Sequence, residues 1–335
     1  MTQNRPAAII LACEGLTLSD AEKRLFASAN PLGFILFARN CESPEQIIAL
    51  NNELRECVGW HCPILIDQEG GRVQRLKPPI WQQYMPAQSC HTPEDAAGIA
   101  RYIANDLTAL NIDVNCAPCI DLLCEETHDV IGDRAFSDSP TDVFEKGLAT
   151  AQAYLEGGVT PIVKHIPGHG RATSDSHLEL PVVDTSLEEL ENSDFKPFAD
   201  FAKTPTAEKT WGMMAHVIYS ALDSEYAASV SQKVIRYLRE DMKMDQFLIA
   251  DDISMLALKK YGNLADRAIK TLESGCDATL YCGNIFKDNS GGVFGNSEST
   301  QMLNEMEQVM AVIPPMTEAS FDRYERSNIR RRSAA

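Results

Sequence analysis

Apolar residues along this chain gather in short runs rich in β-branched side chains, with longer stretches of helical periodicity between them. Eight runs read as strands: Ala7–Ala12, Leu32–Phe37, Pro63–Asp67, Ile112–Ala117, Pro161–His165, Gly212–His216, Phe247–Asp251 and Ala278–Cys282. The stretches between them carry helix-start signals. Ser43 is followed by Pro44, Ser139 by Pro140, Ser186 by Glu189 three residues later, and Ser231 precedes another amphipathic segment. Eight strands alternating with helices predict an α/β fold, a single-domain (β/α)8 TIM-type barrel spanning residues 1–335, possible irregularities included.

Polar and titratable residues break the pattern just after the strands: DQEGGR after the third, KHIPGHG after the fifth, AH after the sixth and ADD after the seventh. In such a barrel the loops after the strands form one face, so these separated segments converge on one mouth. Two loops are expected to be long, His169 to Pro181 and Gly283 to Thr300, the second rich in Gly, Asn and Ser.

Composition narrows the partners. The 335 residues are 44% hydrophobic and 23% charged, with a formal net charge of −18, so a polyanion such as nucleic acid, or an anionic membrane surface, would meet long-range repulsion. No run approaches the ~18 apolar residues of a membrane span. The start, MTQNRPAAIILACEG, lacks the length and cleavage site of a secretory signal, and a cytoplasmic location is expected. The ten cysteines are scattered, many within apolar runs, and are expected as reduced thiols. Cys116, Cys119 and Cys124 resemble half a zinc site, but no second pair follows at ligand spacing, so neither metal nor cofactor is expected.

The densest chemistry lies in VKHIPGHGRATSDSH, Val163 to His177, which holds three of the seven histidines. Lys164 and His165 end a strand, PGHG opens a loop, and Asp175 stands two residues before His177. A carboxylate near an imidazole fixes its tautomer and raises its pKa, which suits proton transfer near neutral pH. IADDISM ends the seventh strand with Asp251 and Asp252; alternation sends one of them into the mouth, taken as Asp251, with Asp252 starting the next turn or capping a helix. ILIDQEGGRVQRL supplies Asp67, Arg72 and Arg75, a carboxylate and guanidinium set suited to vicinal hydroxyls. IGDRAF adds Arg134, and His216 follows the sixth strand.

Together KHIPGHG with RATSDSH, IDQEGGRVQR, IGDRAF and ADDISM resemble, in order and over most of the chain, the motifs of the family 3 glycoside hydrolases, specifically the single-domain bacterial β-N-acetylglucosaminidases of cell-wall recycling. The resemblance implies that Asp251 is a nucleophile, that His177 is an acid/base supported by Asp175, and that Asp67, Arg75, Arg134, Lys164 and His165 hold the amino sugar. His216 is a further expected substrate contact. Three other schemes compete: substrate assistance, with Asp251 and Asp252 polarising the acetamide; a metal hydrolase using His165, His169, His177 and Asp175; and a non-catalytic sugar- or phosphate-binding barrel.

Overall fold

A computed structural model describes residues 5–124, 130–172, 175–176, 178–283 and 296–327. Eight parallel strands close into a barrel: β1 (Ala7–Ala12), β2 (Pro31–Leu36), β3 (Ile64–Ile66), β4 (Val114–Asn115), β5 (Thr160–Ile166), β6 (Trp211–Met214), β7 (Leu248–Asp252) and β8 (Ala278–Tyr281). Each pairs with its sequence neighbours, and β8 closes on β1 through the Ile9 and Thr279 register. All eight expected strands are present, each within a few residues of its expected bounds. The short β3 and β4 are buried throughout, as strands must be when helices cover one face and side chains fill the interior.

The helices begin where their caps predict. Ser43, Ser139, Ser186 and Ser231 each accept a backbone N–H from the first turn, starting α2 (Pro44–Val58), α4 (Pro140–Glu156), α5 (Leu187–Asn192) and α7 (Gln232–Glu240). Between them lie α1 (Asp20–Ala29), α3 (Pro93–Ala109), α6 (Lys196–Ala202) and α8 (Leu264–Ser274), and the chain finishes with α9 (Asn296–Met310) and α10 (Glu318–Ser327). The loop expected to run to Thr300 therefore ends sooner. Its Asn and Ser, residues that favour both loops and helix starts, hide the first turn of α9. Residues 284–295 lie outside the described part.

One end of the barrel is closed by packing. Trp211 at the start of β6 meets Phe247 edge-on with ring centroids 4.9 Å apart, Tyr324 of α10 lies 6.0 Å from each ring, and the Trp211 indole N–H donates to Ser327 Oγ at 2.8 Å. Apolar contact at the strand starts belongs to stability, leaving the C-terminal ends for chemistry. All ten cysteines carry free thiols. Among the described residues no helix is long and apolar enough to cross a membrane.

Candidate active site

The inner wall of the mouth is built from β3, β5 and a small hairpin. Past Ile66 the chain turns into an antiparallel pair, Gln68–Gly70 with Val73–Gln74, closed by Gly70 and Gly71 at φ of +101° and +56°. A side chain at Gly70 would place Cβ 2.4 Å from the Met85 carbonyl oxygen, so both the conformation and the space require glycine. Gln68 points inward, its Oε1 accepting the backbone N–H groups of Arg75 and Leu76. That turns Asp67 and Glu69 the other way, together. Lys164 from β5 reaches both, Nζ lying 2.9 Å from Asp67 Oδ1 and 2.6 Å from Glu69 Oε1. Arg75 donates to Asp67 Oδ2 at 3.1 Å, and Arg134 grips both oxygens of Glu69 at 2.8 Å in a bidentate fork.

Electrostatics follow from this pairing. Burial alone would raise the Asp67 carboxyl, but Lys164 and Arg75 outweigh it and hold it well below the usual range. Glu69 is likewise lowered, with Arg134 and Lys164 overcoming burial. Lys164 is raised despite burial because it faces two carboxylates. Arg75 and Asp67, at 22% and 16% side-chain exposure, are the most open members of the cluster, against 3% for Lys164. They form its solvent-facing edge. Arg72 goes elsewhere, pairing with Asp133 at 2.9 Å.

Strand alternation would send Lys164 and His165 to opposite sides, yet both serve the mouth. The β5/β6 register shifts between Lys164 and Ile166, which frees His165 from the ladder. Its Nδ1–H donates to Asp121 Oδ2 at 2.6 Å, and its Nε2 lies 3.4 Å from an Arg134 nitrogen. Asp121 is fully buried and also accepts the His165 and His169 backbone N–H groups, the latter at 2.6 Å. Cys119 Sγ donates to the same carboxylate at 3.2 Å. Cys119, Asp121 and His165 place ligand-type atoms within 4.8 Å of one another, but these atoms are joined by their own hydrogen bonds, and burial with the Asp121 charge keeps the thiol protonated. A cation there would have to displace these protons. The cysteine set suggested by spacing thus becomes a different trio, which supports His165.

The opposite wall comes from β7 and the loop after β5. Asp251, the penultimate residue of the strand, is half-buried, its Oδ1 accepting the Asp252 backbone N–H at 2.8 Å. It shares the mouth electrostatically: the buried Cys116 thiol is raised by burial and then by Asp67 and Asp251, and Cys282 by burial and then by Asp252, Asp251 and Asp67. Asp252 is only 2% exposed. It starts the turn after the strand, as expected, rather than capping a helix: its carboxylate accepts the Ser254 and Cys282 backbone N–H groups at 3.0 and 3.1 Å and the Ser254 hydroxyl. Burial pushes its pKa up to about 6, against these donors.

The loop after β5 leaves through Gly168, where a Cβ would lie 2.6 Å from the Asp194 carbonyl oxygen. Arg171 ties its start to Asp194 at 2.6 Å. Farther on, Ser176 Oγ contacts His169 Nε2 at 3.1 Å, and the Ser176 carbonyl accepts the Ala257 N–H at 3.2 Å. Ala257 lies six residues past Asp251, so Ser176 rests against the segment that follows β7. His177 lies outside the described residues. His216, expected at the substrate, is instead engaged inward: it is 1% exposed, with Nδ1 2.7 Å from Ser229 Oγ and Nε2 3.0 Å from the Asp252 carbonyl.

Glu69 and Asp121 are site residues that sequence reasoning passed over. Glu69 was signalled by period two from Asp67 within a short hairpin. Asp121 had no local signal, because its role depends on β4 and β5 being neighbours.

The chain matches the pattern of the glycosyl hydrolase family 3 N terminal domain over residues 11–312. It is 31% identical over 315 residues to the beta-hexosaminidase of Idiomarina loihiensis, covering 90% of this chain and 92% of that one. With the beta-hexosaminidase of Alkalilimnicola ehrlichii the identity is 34% over 285 residues, covering 82% and 80%. The solved structure of NagZ from Neisseria gonorrhoeae in complex with N-trifluoroacetyl-D-glucosamine matches with a TM-score of 0.74 at 28% identity, over 97% of this chain and 98% of that one. A closed parallel barrel, a charged mouth at its strand ends and likeness along nearly the whole chain agree: the protein belongs to glycosyl hydrolase family 3.

Proposed function

We propose that the protein is a retaining exo-acting β-N-acetylhexosaminidase that removes terminal N-acetylglucosamine from peptidoglycan-derived muropeptides, the disaccharide with anhydro-N-acetylmuramic acid being the core substrate, with or without peptide. Asp251 attacks the anomeric carbon as His177 gives its proton to the departing glycosidic oxygen, so one C–O bond forms on the enzyme while the aglycone bond breaks. Water then gives a proton to His177 and attacks the same carbon, the ester opens, and Asp251 returns as carboxylate. Asp175 orients His177 and stabilises its charged form. Asp67 and Arg75, at the open edge of the inner wall, meet the sugar hydroxyls, backed by Lys164, Arg134 and His165.

The observation that carries this reading is the hydrogen bond from Ala257 N to the Ser176 carbonyl, which seats the segment before His177 against the loop that follows Asp251. A nucleophile and an acid must flank one linkage, and this contact supports that arrangement. Substrate assistance is disfavoured because it needs both carboxylates at the acetamide, whereas that of Asp252 is buried and committed to Ser254 and Cys282. Trapping with a fluorinated N-acetylglucosaminyl donor should label Asp251. Labelling of Asp252, or complete turnover with no covalent adduct, overturns the mechanism.

A further inference from the structure

Asp252 and His216 are buried titratable side chains at the mouth that the mechanism does not use. Residue 252 is held through three of its groups: carboxylate, carbonyl and N–H. Its carboxylate takes the Cys282 N–H from the end of β8 and the N–H and hydroxyl of Ser254 in the next turn. Its carbonyl faces His216 Nε2 at 3.0 Å, across from β6. Its own N–H donates to Asp251 Oδ1 at 2.8 Å. The β7/β8 register shifts between Ile249 and Asp252, so Asp251 lies within the irregular stretch of that pairing. Ladder bonding resumes beyond it, with Ile253 N donating to the Leu280 carbonyl at 2.9 Å. One contact that directs the Asp251 side chain therefore comes from residue 252.

His216 is suited to this task. A ring nitrogen facing a carbonyl must carry hydrogen, so Nε2–H donates to Asp252, and Nδ1 accepts from the Ser229 hydroxyl. A neutral imidazole satisfies both. Ser229 is itself fixed, fully buried in the turn Ala228–Val230, with its N–H donating to the Ala215 carbonyl.

Resting on the reading of Asp251 as nucleophile, we infer that Asp252 and His216 form a positioning unit for it: the Asp252 carboxylate fastens β7 to β8, His216 holds the Asp252 carbonyl, and together they aim Asp251 at the anomeric carbon. The sugar is held by the other wall, on β3 and β5. Loosening the unit therefore slows attack without weakening binding. Misplacement of a reacting group by about 1 Å costs on the order of 10²-fold in rate.

The test uses paired variants of the full chain. Asp252→Ala removes the fastening, whereas Asp252→Asn keeps an oxygen for the Ser254 and Cys282 N–H groups and offers its amide to the Ser254 hydroxyl. His216→Ala removes the donor, whereas His216→Gln keeps one donor and one acceptor. With an aryl β-N-acetylglucosaminide, each Ala variant should lose roughly 10- to 100-fold in kcat and slow its Asp251 trapping by the same factor, with KM within about 3-fold. The Asn and Gln variants should recover most of the loss. Ala variants that trap at the wild-type rate, losses falling on KM instead of kcat, or folded Asn and Gln variants as slow as the Ala ones overturn the inference. Absence of label on Asp251 in the wild-type protein overturns the underlying reading as well, and melting temperatures separate a slow folded variant from an unfolded one.

Discussion

Replacing Lys164 by methionine tests whether the buried charges on the inner wall hold one another in place. The ammonium is 3% exposed and bridges Asp67 at 2.9 Å and Glu69 at 2.6 Å. Methionine fills the stem but leaves the two carboxylates without their shared cation. Removing one partner of a buried ion pair costs about 3–5 kcal/mol. Asp67 keeps Arg75 and Glu69 keeps the Arg134 fork, so the lower end applies, about 3 kcal/mol. At roughly 2 °C per kcal/mol for a chain of this size, the melting temperature should fall by about 6 °C at pH 7. The sign with pH follows from the lowered folded-state pKa values of both carboxyls: their stabilisation is present above the unfolded value near 4 and is lost as pH falls through the folded values. The variant has less of it to lose, so the gap in melting temperature should narrow at pH 3.5. Adding Glu69→Gln strips the buried Arg134 fork of its carboxylate and should widen the difference further. Calorimetry of wild type, single and double variants decides the matter. A single variant melting within 1 °C of wild type at pH 7, or a gap equally wide at both pH values, refutes the reasoning.

Other outcomes follow from the same geometry. Gly70→Ala forces a non-glycine residue to φ of +101° and brings Cβ to 2.4 Å from the Met85 carbonyl, so urea unfolding should show a loss of at least ~1 kcal/mol. His169 is 3% exposed, and burial, with His165 adding to it, lowers its pKa to about 4. Its stabilisation is present above the unfolded value near 6.5 and is lost as pH falls toward 4, on the order of 3 kcal/mol in all, so His169→Asn should flatten the stability profile across that window. Arg75→Ala removes a donor at the open edge of the inner wall, and initial-rate kinetics should show KM for an aryl N-acetylglucosaminide up by about 10-fold with a smaller change in kcat.

Much of this architecture is written in local sequence. Each barrel strand is an apolar run long enough to be buried on both faces, and the serine caps mark helix starts because their side chains meet orphan N–H groups within three residues. What escaped the sequence reading depends on neighbours distant in the chain. Asp121 looks like one more loop carboxylate until β5 brings His165 against it. His216 resembles a substrate contact until Ser229 and the Asp252 carbonyl occupy its ring. Asp252 follows a strand as a cap would, but its acceptor capacity is taken by Cys282, thirty residues on. Short extra pairings were also invisible: Val182–Val183 joins Ile218–Tyr219 in a two-residue ladder, below the length at which alternation can be read.

The two places where Lys164, His165 and Asp251 lie share a structural feature that bears on how a regular barrel can carry irregular chemistry. A parallel ladder sends successive side chains to opposite faces, so a strand in perfect register offers the mouth every second residue only. At the end of β5 the register shifts between Lys164 and Ile166, letting adjacent Lys164 and His165 both serve the inner wall. At the end of β7 it shifts between Ile249 and Asp252, placing Asp251 in the irregular stretch while the Asp252 carboxylate turns to Cys282 and Ser254. Irregularity alone does not mark a site, since β1 and β2 also shift between Ala7 and Ile10, at the strand starts where the segment before α10 hydrogen-bonds through Pro314 and Met316. What distinguishes the other two is their place at the C-terminal ends, where buried hydrogen bonds substitute for the missing ladder: Asp121 takes the His165 N–H and ring, and Asp252 takes Cys282 and Ser254. His165 and Asp251 thus each stand beside a buried carboxylate that ties down the irregular backbone there, and on the proposed mechanism substitutions at Asp121 and Asp252 should resemble one another in lowering the rate of N-acetylglucosaminide hydrolysis while leaving the barrel folded.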